Sequence, residues 1–132
     1  MARTAEVAIY VARRGRSEIL LLHRSEAQGA YWHTVAGGIE DGETPHEAAR
    51  RELLEETGLD HEVPGPAHTA DYALENGGVM PVHAYLIDVA DDWEPVLDWE
   101  HDGHRWVAAA DAPAQFYWDD AAQALRVLLG GP

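Results

Sequence analysis

Residues 37–59 read Gly37-Gly38-Ile39-Glu40-Asp41-Gly42-Glu43-Thr44-Pro45-His46-Glu47-Ala48-Ala49-Arg50-Arg51-Glu52-Leu53-Leu54-Glu55-Glu56-Thr57-Gly58-Leu59. Local signals predict a helix over the second half of this stretch. Thr44 can cap it, Pro45 suits the first helical position, and Glu47 completes a T-x-x-E capping box. Ala48, Ala49 and Leu53 are good helix material, and Gly58 supplies the left-handed residue just past the end, with Leu59 packing behind it. On that helix Glu52, Glu55 and Glu56 fall at i, i+3 and i+4, so their carboxylates are neighbours on one face. Three negative charges crowded there destabilise the helix unless something neutralises them. An all-oxygen cluster suits Mg²⁺ or Mn²⁺ better than zinc, and Mg²⁺ commonly shares its coordination among carboxylates, waters and substrate phosphates. The Gly37-Gly38 turn lets backbone come close to a ligand, and its carbonyls can add an oxygen. A bare E-x-x-E-E reads first as a solvated acidic face helped by Arg50 and Arg51, because such patches are common.

Around this helix the chain alternates between strand and turn signals. Ala5 to Ala12 places Val7, Ile9 and Val11 on one face of a strand, and Arg13-Arg14-Gly15-Arg16 reads as a turn. Ile19-Leu20-Leu21-Leu22 suits a buried strand, Ser25 to Ala30 a loop, and Tyr31 to Val35 a brief strand running into the glycines. Pro64-Gly65-Pro66 is a break. Val79 to Val89 reads as a long central strand, Asp91 to Gly103 as an acidic loop, and His104 to Ala108 as a short strand. Asp119 to Leu129 reads as a terminal helix with Ala122, Leu125, Leu128 and Leu129 on its apolar side. Trp32, Trp106 and Trp118 are expected in the core. The fold class is therefore α/β or α+β: a mixed sheet covered by helices, in one domain over residues 1–132, a length that leaves little room for a second core.

Composition narrows the chemistry. With no cysteine, neither a disulfide framework nor a thiolate site can exist. The opening MARTAEVAIYVARRGR lacks the long apolar stretch of a signal peptide, and no run approaches a membrane span, so a cytoplasmic protein without a membrane partner is expected. Acidic residues number 24 against 9 basic ones, all arginine, for a formal net charge of −15. Such a surface repels a long phosphate backbone, so no nucleic-acid polymer is expected as partner. A polyphosphate ligand would need a divalent cation to screen it, with arginine helping locally because its fork matches phosphate oxygens.

The full pattern resembles the signature of the Nudix hydrolases. Gly37, five residues, Glu43, seven residues, Arg51-Glu52-Leu53, one residue, Glu55-Glu56, one residue and Gly58-Leu59 fit it at every defined position. An apolar strand ending in Arg24 and an aromatic Trp32 ahead of the glycines are similar to the family as well. One departure is Ala36, where many members have proline; it is expected to loosen or alter the turn without touching the metal ligands.

The resemblance implies a Nudix-type α/β/α sandwich. It also implies a hydrolase that uses Mg²⁺ or Mn²⁺ and water to split a diphosphate linkage in a small nucleotide-type substrate. Carried over residue by residue, Glu52, Glu55 and Glu56 would be metal ligands, with the Gly37 carbonyl. Arg51 would orient them through ion pairs, chiefly with Glu55 at i+4. Glu43 would brace the loop or hold the arginine, and it is grouped with Arg24 and Tyr31 among the substrate-binding residues, Arg24 for phosphate and Tyr31 for a base. The general base is Glu52 or a glutamate from a later loop, for which Glu100 is chosen. His101 and His104 have H-x-x-H spacing but lack the helix and the further ligands of a zinc site. The substrate expected first is a (deoxy)nucleoside triphosphate, giving monophosphate and pyrophosphate. ADP-ribose, nucleotide sugars and diadenosine polyphosphates are the alternatives within the class. The Pro that often marks ADP-ribose hydrolases is missing, since position 74 is Leu, and Tyr72 comes too early for the tyrosine of diadenosine polyphosphate hydrolases. A sensor that binds a nucleotide without cleaving it usually lacks a box glutamate; all are intact here. The resemblance also leaves a homodimer open, since many members pair.

Overall fold

The computed structural model describes residues 5–65 and 67–130. Residues 1–4 and Pro66, which enter the leader and break readings, lie outside them. Among the described residues seven strands form one mixed sheet: β1 (Glu6–Arg13), β2 (Glu18–Arg24), β3 (Trp32–His33), β4 (Val35–Gly38), β5 (His68–Ala73), β6 (Val79–Asp88) and β7 (His101–Ala108). Two α-helices, α1 (Pro45–Thr57) and α2 (Asp119–Leu128), complete the framework, with short 3-10 turns at Glu26–Gln28 and Ala112–Gln115.

β1 organises the sheet. One edge runs parallel to β6 from Glu6↔Val82 to Ala12↔Asp88. The other edge is shared, antiparallel to β4 at Glu6–Ile9 and to β2 at Ala12–Arg13. β2 continues into antiparallel pairs with β7 and β3, and β5 closes the far side beyond β6. This split edge lets β4 carry Gly37 and Gly38 straight from the sheet towards the start of α1. Thr34 marks the break between β3 and β4, and its hydroxyl donates to the Ile9 carbonyl at 2.6 Å. The expected single strand over Tyr31–Val35 is thus two short ones.

Each face of the sheet carries a core. On one side Val7, Ile9, Val11, Leu20, Leu22, Val35 and Ile87 pack with Ala48, Ala49 and Leu53 of α1. On the other, Ala8, Tyr10, Ala12, Ile19, Leu21 and Ala84 pack with Phe116 and with Ala121, Ala124 and Leu125 of α2. The expected α/β/α sandwich is therefore present. Fully burying a Val, Leu or Ile side chain stabilises by about 1.5–3 kcal/mol, so β1, buried on both faces, is its main anchor. The alternation that exposes only one face in the sequence reading is overridden, because Ala8 and Tyr10 are covered by α2. Among the described residues no helix is long and apolar enough to cross a membrane.

α1 forms with the expected boundaries. The Thr44 hydroxyl accepts from Glu47 N at 3.1 Å and the Glu47 carboxylate accepts from Thr44 N at 2.9 Å. Gly58 ends the helix at φ 78°, its N–H donating to the Leu54 carbonyl at 2.9 Å. Two further elements differ from expectation. β5 forms in a stretch with no strand signal, and β7 starts at His101, three residues before the predicted strand and inside the predicted loop.

Candidate functional site

Arg51 is the hub of the acidic helix. Its guanidinium grips Glu43 with Nε at 2.7 Å and Nη2 at 3.0 Å, and Nη2 also donates to the Gly38 carbonyl at 2.9 Å. Nη1 donates to Glu52 at 2.7 Å and reaches Glu55 at 3.4 Å. The expected pairing with Glu55 exists, but Glu43 and Glu52 hold the arginine more closely. Such a two-point fork is the strongest geometry a guanidinium makes with a carboxylate. The hydrogen bond to Arg51 holds the Glu43 carboxyl below its ordinary value, and Glu40 N–H adds a donor at 3.0 Å. Glu43 thus braces the loop and holds the arginine, and its carboxylate does not line the cleft described below.

Glu56 lies deeper, 1% exposed. Burial first, and contact with the Glu52 carboxylate second, push its pKa well above the ordinary value. Ala36 N–H points at Glu56 Oε1 at 3.4 Å, and His101 Nε2 lies 3.6 Å from the same oxygen. Proline at position 36 would have no N–H to offer. The departure at Ala36 therefore bears on a box glutamate directly, contrary to expectation, and Val35–Gly38 remains a regular strand rather than a loosened turn.

Glu52, Glu55, Gly37, Arg51, Arg24, Tyr31 and Glu100 come together around one cleft of about 780 Å³. Glu56 stands behind its wall. Gly37 is needed for close approach, since a Cβ there would overlap the Glu52 carboxylate. Arg24 Nη2 lies 3.8 Å from Glu100 and 3.0 Å from Gln28 Oε1, and its guanidinium sits 5.8 Å from the Tyr31 ring. Glu100 is held by its backbone, whose carbonyl accepts from Ser25 N at 2.8 Å. Seven carboxylates (Glu6, Glu40, Glu52, Glu55, Glu75, Glu100 and Asp120) line the cleft against two guanidinium groups. A polyphosphate entering it meets net negative charge unless cations accompany it.

The sequence reading missed part of this wall. Trp118 is not in the core: it precedes α2 as its N-cap residue, is 39% exposed, and lines the cleft with its ring edge-on to Tyr31 at 6.0 Å. Tyr72 and Asp120 line it too, Asp120 tying α2 to β5 by accepting from Ala73 N at 2.9 Å. Trp32 and Trp106 do pack against the cores, partly buried, under Arg105 at 4.1 Å and Arg13 at 3.9 Å. His101 bonds Asp98 whereas His104 bonds Glu94, so the two histidines serve different partners.

The residues present fit a divalent cation by their chemistry. The donors are carboxylate oxygens and a glycine carbonyl, and Glu56 is a buried carboxylate beside that of Glu52, with the His101 ring 3.6 Å away. Among the described residues, no three such groups converge closely enough to cage an ion by themselves. Glu52 and Glu55 turn towards Arg51 instead.

A family model described as NUDIX domain matches residues 2–128. The chain is 34% identical over 110 residues to an octanoyltransferase from Myxococcus xanthus, covering 80% of this chain and 30% of that protein. It is 51% identical over 41 residues to an RNA pyrophosphohydrolase from Helicobacter pylori, covering 31% of this chain and 26% of that one. The chain thus spans less than a third of the length of these relatives. The structure superimposes on the E. coli dihydroneopterin triphosphate pyrophosphohydrolase with a TM-score of 0.82, covering 98% of this chain and 97% of that one, at 19% identity.

Proposed function

The chain belongs to the Nudix hydrolase family, and we propose that it is a pyrophosphohydrolase of small nucleotides, acting on a (deoxy)nucleoside triphosphate. The observation that carries the reading is the cleft in which Glu52, Glu55 and the Gly37 backbone share walls with Arg24, Tyr31 and Trp118. Its volume lies within the range of small-molecule sites. Water would add to one phosphorus of the α–β bridge, the bridging oxygen would leave with the other, and monophosphate and pyrophosphate would result.

Glu52, Glu55, Glu56 and the Gly37 carbonyl would hold Mg²⁺ or Mn²⁺, the ions that Nudix hydrolases generally use. Such an ion, when bound, neutralises phosphate charge and lowers the pKa of water. The chain's own residues do the rest. Arg51 fixes the Glu52 carboxylate, and Arg24 offers a guanidinium to phosphate at the price of its loose pairing with Glu100. Glu100, which lines the cleft, is the proposed general base, with Glu52 the other candidate. Tyr31 and Trp118 offer aromatic surface for a base. The acidity of the cleft supports a short polyphosphate over a long nucleic-acid backbone.

The test is product release from nucleoside triphosphates, ADP-ribose, nucleotide sugars, diadenosine polyphosphates and 5′-triphosphorylated RNA, with Mg²⁺ or Mn²⁺ and with chelator. Metal-dependent pyrophosphate from a triphosphate supports the proposal. Turnover confined to another compound would replace the substrate, and binding without turnover of any would favour a sensor. Glu100→Gln should lower kcat with little change in KM if Glu100 is the base.

A further inference from the structure

His101 is a buried side chain that the box does not explain. Its Nδ1 donates to Asp98 Oδ1 at 2.7 Å, and its Nε2 is buried without a hydrogen-bond partner, 3.6 Å from Glu56 Oε1. A buried polar atom left unpaired costs about 1–3 kcal/mol, so an orphan aimed at a carboxylate calls for a reason. The local fold is built to aim it. His101 N–H closes a turn onto the Asp98 carbonyl at 3.3 Å, and the same aspartate fixes the ring. His101 opens β7 opposite Arg24, beside an irregularity in the β2–β7 register between His23 and Arg24. Irregularities of this kind re-aim side chains. Neighbouring Glu100 lines the cleft, whereas His101 is buried behind the wall against Glu56.

We propose that Asp98 and His101 are positioning residues for a divalent cation: Asp98 fixes the His101 ring, and the ring packs against one oxygen of Glu56 so that its carboxylate is confined to one orientation towards the ion. Ala36 N–H approaches the same oxygen from the sheet. Glu56 is thus bracketed by a strand amide and an imidazole, and Asp98 locks the imidazole in turn. An outer carboxylate that orients a histidine, which then orients a ligand, follows the general logic of metal sites. This inference rests on the metal reading of the box.

The test is direct Mn²⁺ binding, by electron paramagnetic resonance of the free ion, to the wild type and to His101→Ala, His101→Gln and Asp98→Asn, with circular dichroism confirming fold. Losing an outer partner weakens metal binding about 10–100-fold, and that loss is expected for His101→Ala. His101→Gln, whose amide can extend towards Glu56, should recover part of it, and Asp98→Asn should fall between Ala and wild type. If His101→Ala does not fold, the other two decide. Wild type that binds no Mn²⁺ would sink the metal reading itself. Wild type that binds, with folded His101→Gln and Asp98→Asn binding equally well, would sink this inference alone, as would a lowered Tm with unchanged affinity.

Discussion

Glu43 and Glu56 belong to the same acidic motif, and the fold treats them in opposite ways. Glu43 is gripped by Arg51 at two points and its pKa is held down; Glu56 is buried against Glu52 and its pKa is pushed up. Around Glu43 the protein completes its own electrostatics. Around Glu56 it supplies one distant amide, an imidazole nitrogen that makes no hydrogen bond and a like charge. The contrast separates a carboxylate that the loop and helix satisfy themselves from one that, on the proposed reading, a cation would complete. Behind the cleft wall and out of solvent, an ionised Glu56 is costly without a cationic partner.

The strongest way to break this contrast is to neutralise each carboxylate. Glu56→Gln should lower turnover by about 10³-fold, since metal-assisted charge stabilisation is worth several kcal/mol, while leaving the metal-free protein as stable as before or more so. A metal-free Tm well below wild type would show that Glu56 is compensated in a way the contrast denies.

His33 provides a second, pH-dependent contrast. Buried in the cleft wall, it has its pKa lowered to about 4, first by desolvation and then by Arg24. A histidine whose folded pKa lies below its unfolded value keeps the folded state fully stable above the unfolded pKa and weakens it as pH falls towards 4. From about 6.5 down to about 4 the loss should reach on the order of 3 kcal/mol. Glu56 acts in the opposite sense, because a raised carboxyl pKa makes the folded state gain stability as pH falls. Chemical denaturation across pH should therefore show a steeper acid loss in Glu56→Gln than in the wild type, and a shallower one in His33→Gln.

A smaller effect is expected at Arg51. Its removal leaves Glu43 and Glu52 as mostly buried carboxylates without their partner, and breaking such a pair costs about 3 kcal/mol when fully buried. With Arg51 24% exposed, about 2 kcal/mol is expected. Arg51→Ala should lose more stability than Glu43→Gln, whose neutral amide still accepts from the arginine.

The same contrast governs what could be read from sequence. α1 was legible to the residue because its start and stop are local: a capping box, a first-turn proline and a left-handed glycine. The clustering of Glu52, Glu55, Arg51 and Gly37 followed from helical spacing and the resemblance. β5 was not legible, since His68-Thr69-Ala70-Asp71-Tyr72-Ala73 carries no apolar period and its strand state comes from lying against β6 at the sheet edge. The start of β7 escaped for a related reason. Glu100 and His101 fall in one acidic stretch of sequence, and the pairing of His101 with Arg24 leaves Glu100 lining the cleft and His101 buried behind it. Trp118 misled by its apolar neighbours, Phe116 among them; being the cap of α2 puts it at the cleft. These are long-range facts, and no local signal encodes them.

The most direct test of the claim that the fold leaves Glu56 for a cation is the thermal stability of metal-free wild type and Glu56→Gln as Mg²⁺ or Mn²⁺ is added at pH 8. At about 100 times Kd a ligand stabilises by about 2.7 kcal/mol, which for a domain of this size is on the order of 10 °C. The account predicts that rise in the wild type, and a variant that starts at or above the wild type and barely moves. A wild type that does not respond, or a variant that responds as strongly, would contradict it.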